Sequence, residues 1–404
     1  MNCSYFSGFS IKICRLIVLL FLTAMGSAQN TIHFDNSGYQ SVLQRSKSEH
    51  KPIFYFLYAD WCPHCTKMKN EVFNDTVVAH FMNDNFICAW QNIEKGEGLF
   101  FKQKFHITAF PCFLFLEQNG TVLYNFNGEF QPTDFISETK TALNPEKQLP
   151  YLEKQFYEEP TSAEKCLIFL VTLKKGSERT VLNPIAQKYL ATQSEEQLLS
   201  EMNWRIIANG VSDIASRPFQ FVLQHQKEFA AVASAKRVQK KIVNIVSELL
   251  QPYTENLDTI NYQKKRSIAQ TIGLQKTDSL IFRYDLLVAE RTKNWSTYKI
   301  ITSQAVEKHA FKDAQVLKEI AQQYVLHVDD VTSLKLAVKW AERALELNET
   351  YDTEIVLAKL FQKTNDSISA AALALKAKIK YTALGFNTQE ADDLLKGANN
   401  PHKP

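Results

Sequence analysis

Between Thr31 and Leu143 short apolar runs alternate with amphipathic stretches, a pattern that predicts alternating strands and helices. Residues 52–58 (Pro-Ile-Phe-Tyr-Phe-Leu-Tyr) form one continuous apolar and aromatic run, the mark of a central strand covered on both faces. A polar, lysine-rich helix opens at Cys62–Cys65, and a second helical stretch spans Asp75 to Asn83. Phe86 to Gln91 reads as a strand, Gly98 to Phe105 as a helix, and Pro111 to Leu116 as a further strand. Gln118-Asn119-Gly120-Thr121 leads into Val122–Asn127, and Asn-Gly between two apolar runs predicts a hairpin. Pro132 to Leu143 closes the region with a helix. The order is βαβ followed by ββα, which predicts an α/β fold: a mixed sheet with helices on both faces.

Beyond Asn144-Pro145 the strand pattern stops and amphipathic stretches fill the chain, with breaks near Glu159-Pro160, Asn183-Pro184, Asn209-Gly210, Gln251-Pro252 and Gly273. This predicts an α/β domain over 29–145 followed by an all-α domain over 146–404. Ala337, Trp340, Ala341 and Ala344 recur at an offset of 33 as Ala370, Leu373, Ala374 and Ala377. Between them Leu357, Ala358 and Phe361 share one face of the stretch Glu354–Gln362. Small residues at a helix crossing followed by a second amphipathic helix resemble a tetratricopeptide repeat, here over about residues 334–380. Such repeats present concave surfaces, so a peptide or protein partner on the helical domain is one expectation. The other is that these helices pack only on each other and on the first domain. Trp340 and its neighbours read as core, and Glu342 and Arg343 as solvated face residues.

Composition narrows the function. A chain of 404 residues suits two or three domains, and 45% hydrophobic against 22% charged residues is a globular balance. The formal net charge of +3 makes no electrostatic case for nucleic acid or for a polybasic membrane patch. None of the 12 glycines falls into a phosphate-cradling motif, and no cofactor is expected. At the N-terminus Lys12 and Arg15 precede an apolar run from Leu16 to Met25, followed by Gly26-Ser27-Ala28. This is a basic region, a hydrophobic region and a small-x-small cleavage site: a signal peptide over 1–28, with a mature chain from about Gln29. The apolar run is too short to cross a bilayer about 30 Å thick as a helix. An uncleaved anchor is the competing reading. The expectation is an exported, periplasmic protein with no stable membrane insertion.

Of seven cysteines, Cys3 and Cys14 leave with the signal, and five remain: Cys62, Cys65, Cys88, Cys112 and Cys166. Cys62 and Cys65 form one close pair; Cys88 and Cys166 read as core, and Cys112 as core or as a neighbour of the pair. A zinc site would need a second close pair of ligands, which the scattered cysteines do not offer, so no metal is expected. A structural disulfide is the other alternative to redox chemistry. Cys62 should lie at a helix N-terminus, where free N–H groups and the dipole favour a thiolate. His64 adds donor capacity beside that sulfur. Both effects stabilise the reduced form and make the disulfide a stronger oxidant.

Ala59-Asp60-Trp61-Cys62-Pro63-His64-Cys65 after an apolar strand resembles the active site of the thioredoxin superfamily, and residues 105–111 (Phe-His-Ile-Thr-Ala-Phe-Pro) resemble its cis-proline loop. Residues 71–75 (Glu-Val-Phe-Asn-Asp) and the later Phe-Leu-Phe-Leu strand are most similar to exported bacterial thioredoxin-like proteins. The resemblance covers about residues 31–143 and implies thiol–disulfide exchange with protein thiol or disulfide substrates. It implies attack by Cys62, resolution by Cys65, support from Pro63 and His64, a cis bond at Pro111, and substrate contacts at Trp61 and Phe110. Pro-His between the cysteines is shared with the oxidase branch, so oxidation or isomerisation is expected ahead of reduction. The chain departs from thioredoxin where Phe56 stands for a buried acid and Trp90 for its lysine partner, which argues against efficient reductant behaviour. The alternative function is a helical-repeat binding or assembly protein whose first domain is a scaffold or redox sensor.

Overall fold

The computed structural model describes residues 31–176 and 180–398. The expected signal segment, 1–28, lies outside the described residues. Two compact units divide the chain after Val211.

The first unit is built on a five-stranded sheet in the order β1-β3-β2-β4-β5. Its strands are β1 (Phe34–Asp35), β2 (Ile53–Tyr58), β3 (Ile87–Asn92), β4 (Cys112–Leu116) and β5 (Val122–Asn127). β1 and β2 run parallel to β3, β4 runs antiparallel to β2, and β5 antiparallel to β4. Five helices flank the sheet: α1 (Tyr39–Glu49), α2 (Pro63–Lys67), α3 (Thr76–Asn85), α4 (Gly98–Lys104) and α5 (Pro132–Ala142). α2 continues into one π turn, Met68–Val72.

Side chains alternate across the strands, so each run feeds two cores. Phe54, Phe56, Phe113, Phe115 and Phe126 point to the face that carries Cys62, Cys65, Met68, Phe73 and Phe135. Ile53, Tyr55, Leu57, Cys112, Leu114 and Leu116 point to the other face, against Tyr39 and Val42 of α1 and Phe101 of α4. Every β2 residue but the last is buried, as its unbroken apolar run requires. Each fully buried phenylalanine contributes roughly 1.5–3 kcal/mol of burial. Ring pairs such as Phe56–Phe73, edge-on at 4.8 Å, add to this.

The unit continues through α6 (Leu149–Glu158), α7 (Ala163–Lys175), α8 (Leu182–Leu190), α9 (Glu195–Leu198) and α10 (Glu201–Gly210). α6 and α7 pack against β5, covering what would otherwise be an open sheet edge. Lys175 fastens this contact, donating to the Tyr124 hydroxyl at 2.8 Å and to Glu138 at 2.5 Å. Gly210 permits the close crossing of α10: a Cβ there would stand 2.5 Å from that of Ala186.

The second unit holds eleven helices among its described residues: α11 (Arg217–Gln224), α12 (Gln226–Val232), α13 (Ala235–Glu255), α14 (Thr259–Gln270), α15 (Gln275–Arg291), α16 (Trp295–His309), α17 (Ala314–His327), α18 (Val331–Leu347), α19 (Tyr351–Lys363), α20 (Ser367–Thr382) and α21 (Gln389–Ala398). The whole chain is therefore a mixed α/β sheet domain followed by a largely helical region. From α17 onward each helix packs on the next. Asp313, Asp330, Thr350 and Asp366 start these helices as N-caps, each accepting a backbone N–H three residues on. Ala337, Ala341 and Ala344 are buried where α18 meets its neighbours, and Trp340 stands edge-on to Tyr324 at 5.3 Å. The break expected near Pro252 does not occur. α13 runs through that proline, which sits in its last turn, where one ladder bond is lost and little follows to be disrupted.

Candidate active site

β2 ends at Tyr58, and the chain turns so that Cys62 becomes the N-cap of α2. Pro63 occupies the first helical position, where its missing N–H is no loss. The Cys62 Sγ accepts the backbone N–H of Cys65 at 3.1 Å, and the two cysteines are disulfide-bonded with Cα atoms 5.3 Å apart. Both are buried, Cys65 the more deeply. Reduced, the Cys62 sulfur would keep this N–H donor and the positive end of the helix, which together favour a thiolate.

The peptide bond Phe110–Pro111 is cis. Trp61 is two-thirds exposed, its ring edge-on to Phe110 at 5.2 Å, with Nε1 donating to the Glu94 carboxylate at 3.0 Å. Trp61, Cys62 and Phe110 are thus brought together at one end of the sheet. Pro111 follows Phe110 directly in the chain, and its carbonyl accepts the N–H of Gly128 at 3.1 Å.

That last bond positions a residue that sequence reasoning missed. Gly128, with φ of 120°, turns the chain out of β5 and sets Glu129 over α2. Glu129 meets His64 Nδ1 at 2.6 Å and bonds Lys67 through its other oxygen. The Lys67 ammonium first, then the His64 ring, holds the Glu129 carboxyl below the usual carboxylate range. No spacing motif joins positions 64 and 129; the proximity exists only because β5 returns beside the proline loop.

Phe56 and Trp90 stand directly opposite in the β2–β3 register. Trp90 stacks on Phe34 with ring centroids 4.7 Å apart. Cys112 belongs to the opposite face of the sheet from Cys62 and Cys65. Cys88 and Cys166 are buried, with their thiols pushed up by desolvation, Cys166 to about 12. Thiols so hard to ionise are poor nucleophiles. Among the described residues no cluster of three His, Cys, Asp or Glu side chains is arranged to hold a metal ion.

The Thioredoxin-like domain family matches residues 39–143. The chain carries a thioredoxin-like domain. Over 120 residues the chain is 27% identical to the disulfide bond reductase DsbH of Chlamydia pneumoniae, covering 26% of this chain and 70% of that protein. A solution structure described as a candidate disulphide isomerase of Bacteroides thetaiotaomicron is 28% identical, covers 28% of this chain and 94% of its own, and gives a TM-score of 0.27. A DsbH oxidoreductase structure is 22% identical, covers 30% of this chain and 90% of its own, with a TM-score of 0.26. The Cys62–Cys65 disulfide lies within the matched residues 39–143. No helix among the described residues is long and apolar enough to cross a membrane.

Proposed function

We propose that the protein is an exported thiol–disulfide oxidoreductase acting on protein thiols and disulfides. The observation that carries this reading is the Cys62–Cys65 disulfide at a helix N-terminus, with the Cys62 sulfur already accepting a helix N–H. Cys62 exchanges with the substrate through a mixed disulfide, and the more buried Cys65 resolves it. Pro63 fixes the helix start, Trp61 and Phe110 offer ring surface to the substrate, and the cis-bonded Pro111 sets the backbone beside Phe110. The region N-terminal to the sheet serves as the export signal, and the periplasm is the proposed compartment.

Direction depends on the charges beside Cys62. The helix N-terminus and His64 favour the thiolate and hence disulfide donation or isomerisation, the direction proposed here. Glu129 supports a second reading, reduction: its carboxylate offsets the positive field of His64 and Lys67. The relative from Chlamydia pneumoniae bears the name of a reductase. Equilibration with glutathione buffers separates the two. A potential on the order of −120 mV supports donation, and one of about −270 mV overturns it in favour of reduction. The helices α18 to α20, over the stretch 334–380, are proposed as a tetratricopeptide-like unit that holds the protein partner.

A further inference from the structure

Resolution of a mixed disulfide needs Cys65 as a thiolate, yet Cys65 is buried in an apolar core cluster that also holds Phe56, Ala59, Met68, Phe73 and Phe113, and burial opposes ionisation. Four residues along the same helical run stands Lys69, in the π turn that extends α2. Side chains at that spacing on a helix are neighbours, with Cβ atoms about 5–6 Å apart.

Lys69 is placed unusually for a lysine. It is half-buried, with Nζ 3.1 Å from the centre of the Tyr58 ring, 5.3 Å from that of Trp90 and 5.8 Å from that of Phe56. These rings belong to, or pack on, the cluster that contains Cys65. Lys69 forms no ion pair among the described residues. Asp60, the acid that faces it, is taken by Lys95 at 2.5 Å. Tyr58 from β2 and the Asp60–Lys95 pair from the adjoining loops are the titratable groups around it. Desolvating an ammonium without a counter-ion is costly, and ring faces offset only part of that. Burial lowers the Lys69 pKa, against the pull of Asp60.

We propose that Lys69 is the acid–base partner of Cys65, and that the Cys65 thiolate is the anion this cation lacks in the disulfide state. This rests on the disulfide-exchange reading above. In the mixed disulfide, the Cys65 thiol passes its proton to the Lys69 amine. The resulting thiolate attacks the Cys62 Sγ, the Cys65–Cys62 bond forms, and the Cys62–substrate bond breaks with its electron pair on the substrate thiolate. The two electrons of the dithiol end on the substrate. In the reverse direction the Lys69 ammonium returns the proton to the departing Cys65 sulfur. Amine and thiol titrate as a coupled pair.

The test uses the full chain with Lys69→Met and Lys69→Arg. A mixed disulfide between Cys62 and a chromogenic aromatic thiol is formed, and its resolution by Cys65 is followed in a single turnover across pH. Lys69→Met is expected to slow resolution about tenfold or more at neutral pH, converging on the wild type in alkali, where Cys65 ionises unaided. In a Cys62→Ser background, Lys69→Met should raise the Cys65 thiol pKa read from thiolate absorbance, and Lys69→Arg, which keeps the charge, should restore it. Resolution by Lys69→Met at the wild-type rate with the wild-type pH profile overturns the proposal. If Lys69→Met does not fold, Lys69→Gln takes its place under the same criteria. A wild type that exchanges with no disulfide defeats the oxidoreductase reading instead, while the Cys65 titration still decides the role of Lys69.

Discussion

The two units treat their ionisable groups in opposite ways. Around Cys62 in the first unit, His64, Lys67, Glu129 and Trp61 stand wholly or partly in solvent and reach one another across separate loops and helices. In the second unit several buried polar groups are paired within the helix array. Asp285 receives two bonds from Arg266, at 2.6 and 2.7 Å, and one from the Tyr262 hydroxyl at 2.7 Å. Thr302 and Tyr324 share a bond of 2.6 Å between buried hydroxyls, and the buried Glu354 faces Lys376 at 3.2 Å. A network closed on itself holds helices together, whereas an open one at a helix start leaves a sulfur and its neighbours available for chemistry.

This contrast breaks most sharply at Asp285. Asp285→Ala strands the Arg266 guanidinium and should destabilise the second unit by about 3–5 kcal/mol in denaturant unfolding, with the potential of the Cys62–Cys65 pair unchanged. A shift in potential would mean that the helix network reaches the redox site. Next in size, Glu129→Gln removes the anion beside His64 and should make the potential less negative by on the order of 30 mV, close to tenfold in the exchange constant, with little loss of stability. An unchanged potential would reduce Glu129 to a surface tether.

The smallest effect belongs to Asp330, the N-cap of α18, whose carboxyl is held down at about 2 by Lys299 and by Ser333. Asp330→Ala should cost about 1 kcal/mol. Because the folded pKa lies below the unfolded one, this contribution is present in full above about pH 4 and is lost as pH falls through about 2. Wild-type and variant melting curves should therefore differ at neutral pH and converge in acid. Curves separated by the same interval at every pH would remove the carboxylate from the account.

Much of the sheet could be read directly because its strands bury both faces. β2 and β4 are unbroken apolar runs, and Asn119-Gly120 marks the hairpin between β4 and β5. β1 escaped notice because two residues carry no period, and α1 because it buries only Tyr39, Val42 and Ser46 along eleven residues. Pro252 misled because a proline in a last turn costs little. In the site, the groups at 61–65 and 110–111 stood out because they are contiguous in sequence. Glu129 did not, since its place depends on a bond from Gly128 to the carbonyl of Pro111. Lys69 resembled any solvated lysine on a lysine-rich helix until the rings of β2 and β3 were seen to enclose it.

The central claim, that Cys62 attacks and Cys65 resolves, is tested most directly by trapping. Cys65→Ala in the full-length chain, reduced and mixed with a disulfide-bonded protein substrate, should accumulate a covalent adduct that intact mass and peptide mapping place on Cys62. The wild type, able to resolve, should accumulate almost none. Absence of an adduct in Cys65→Ala, or an adduct on Cys88, Cys112 or Cys166, would contradict the account.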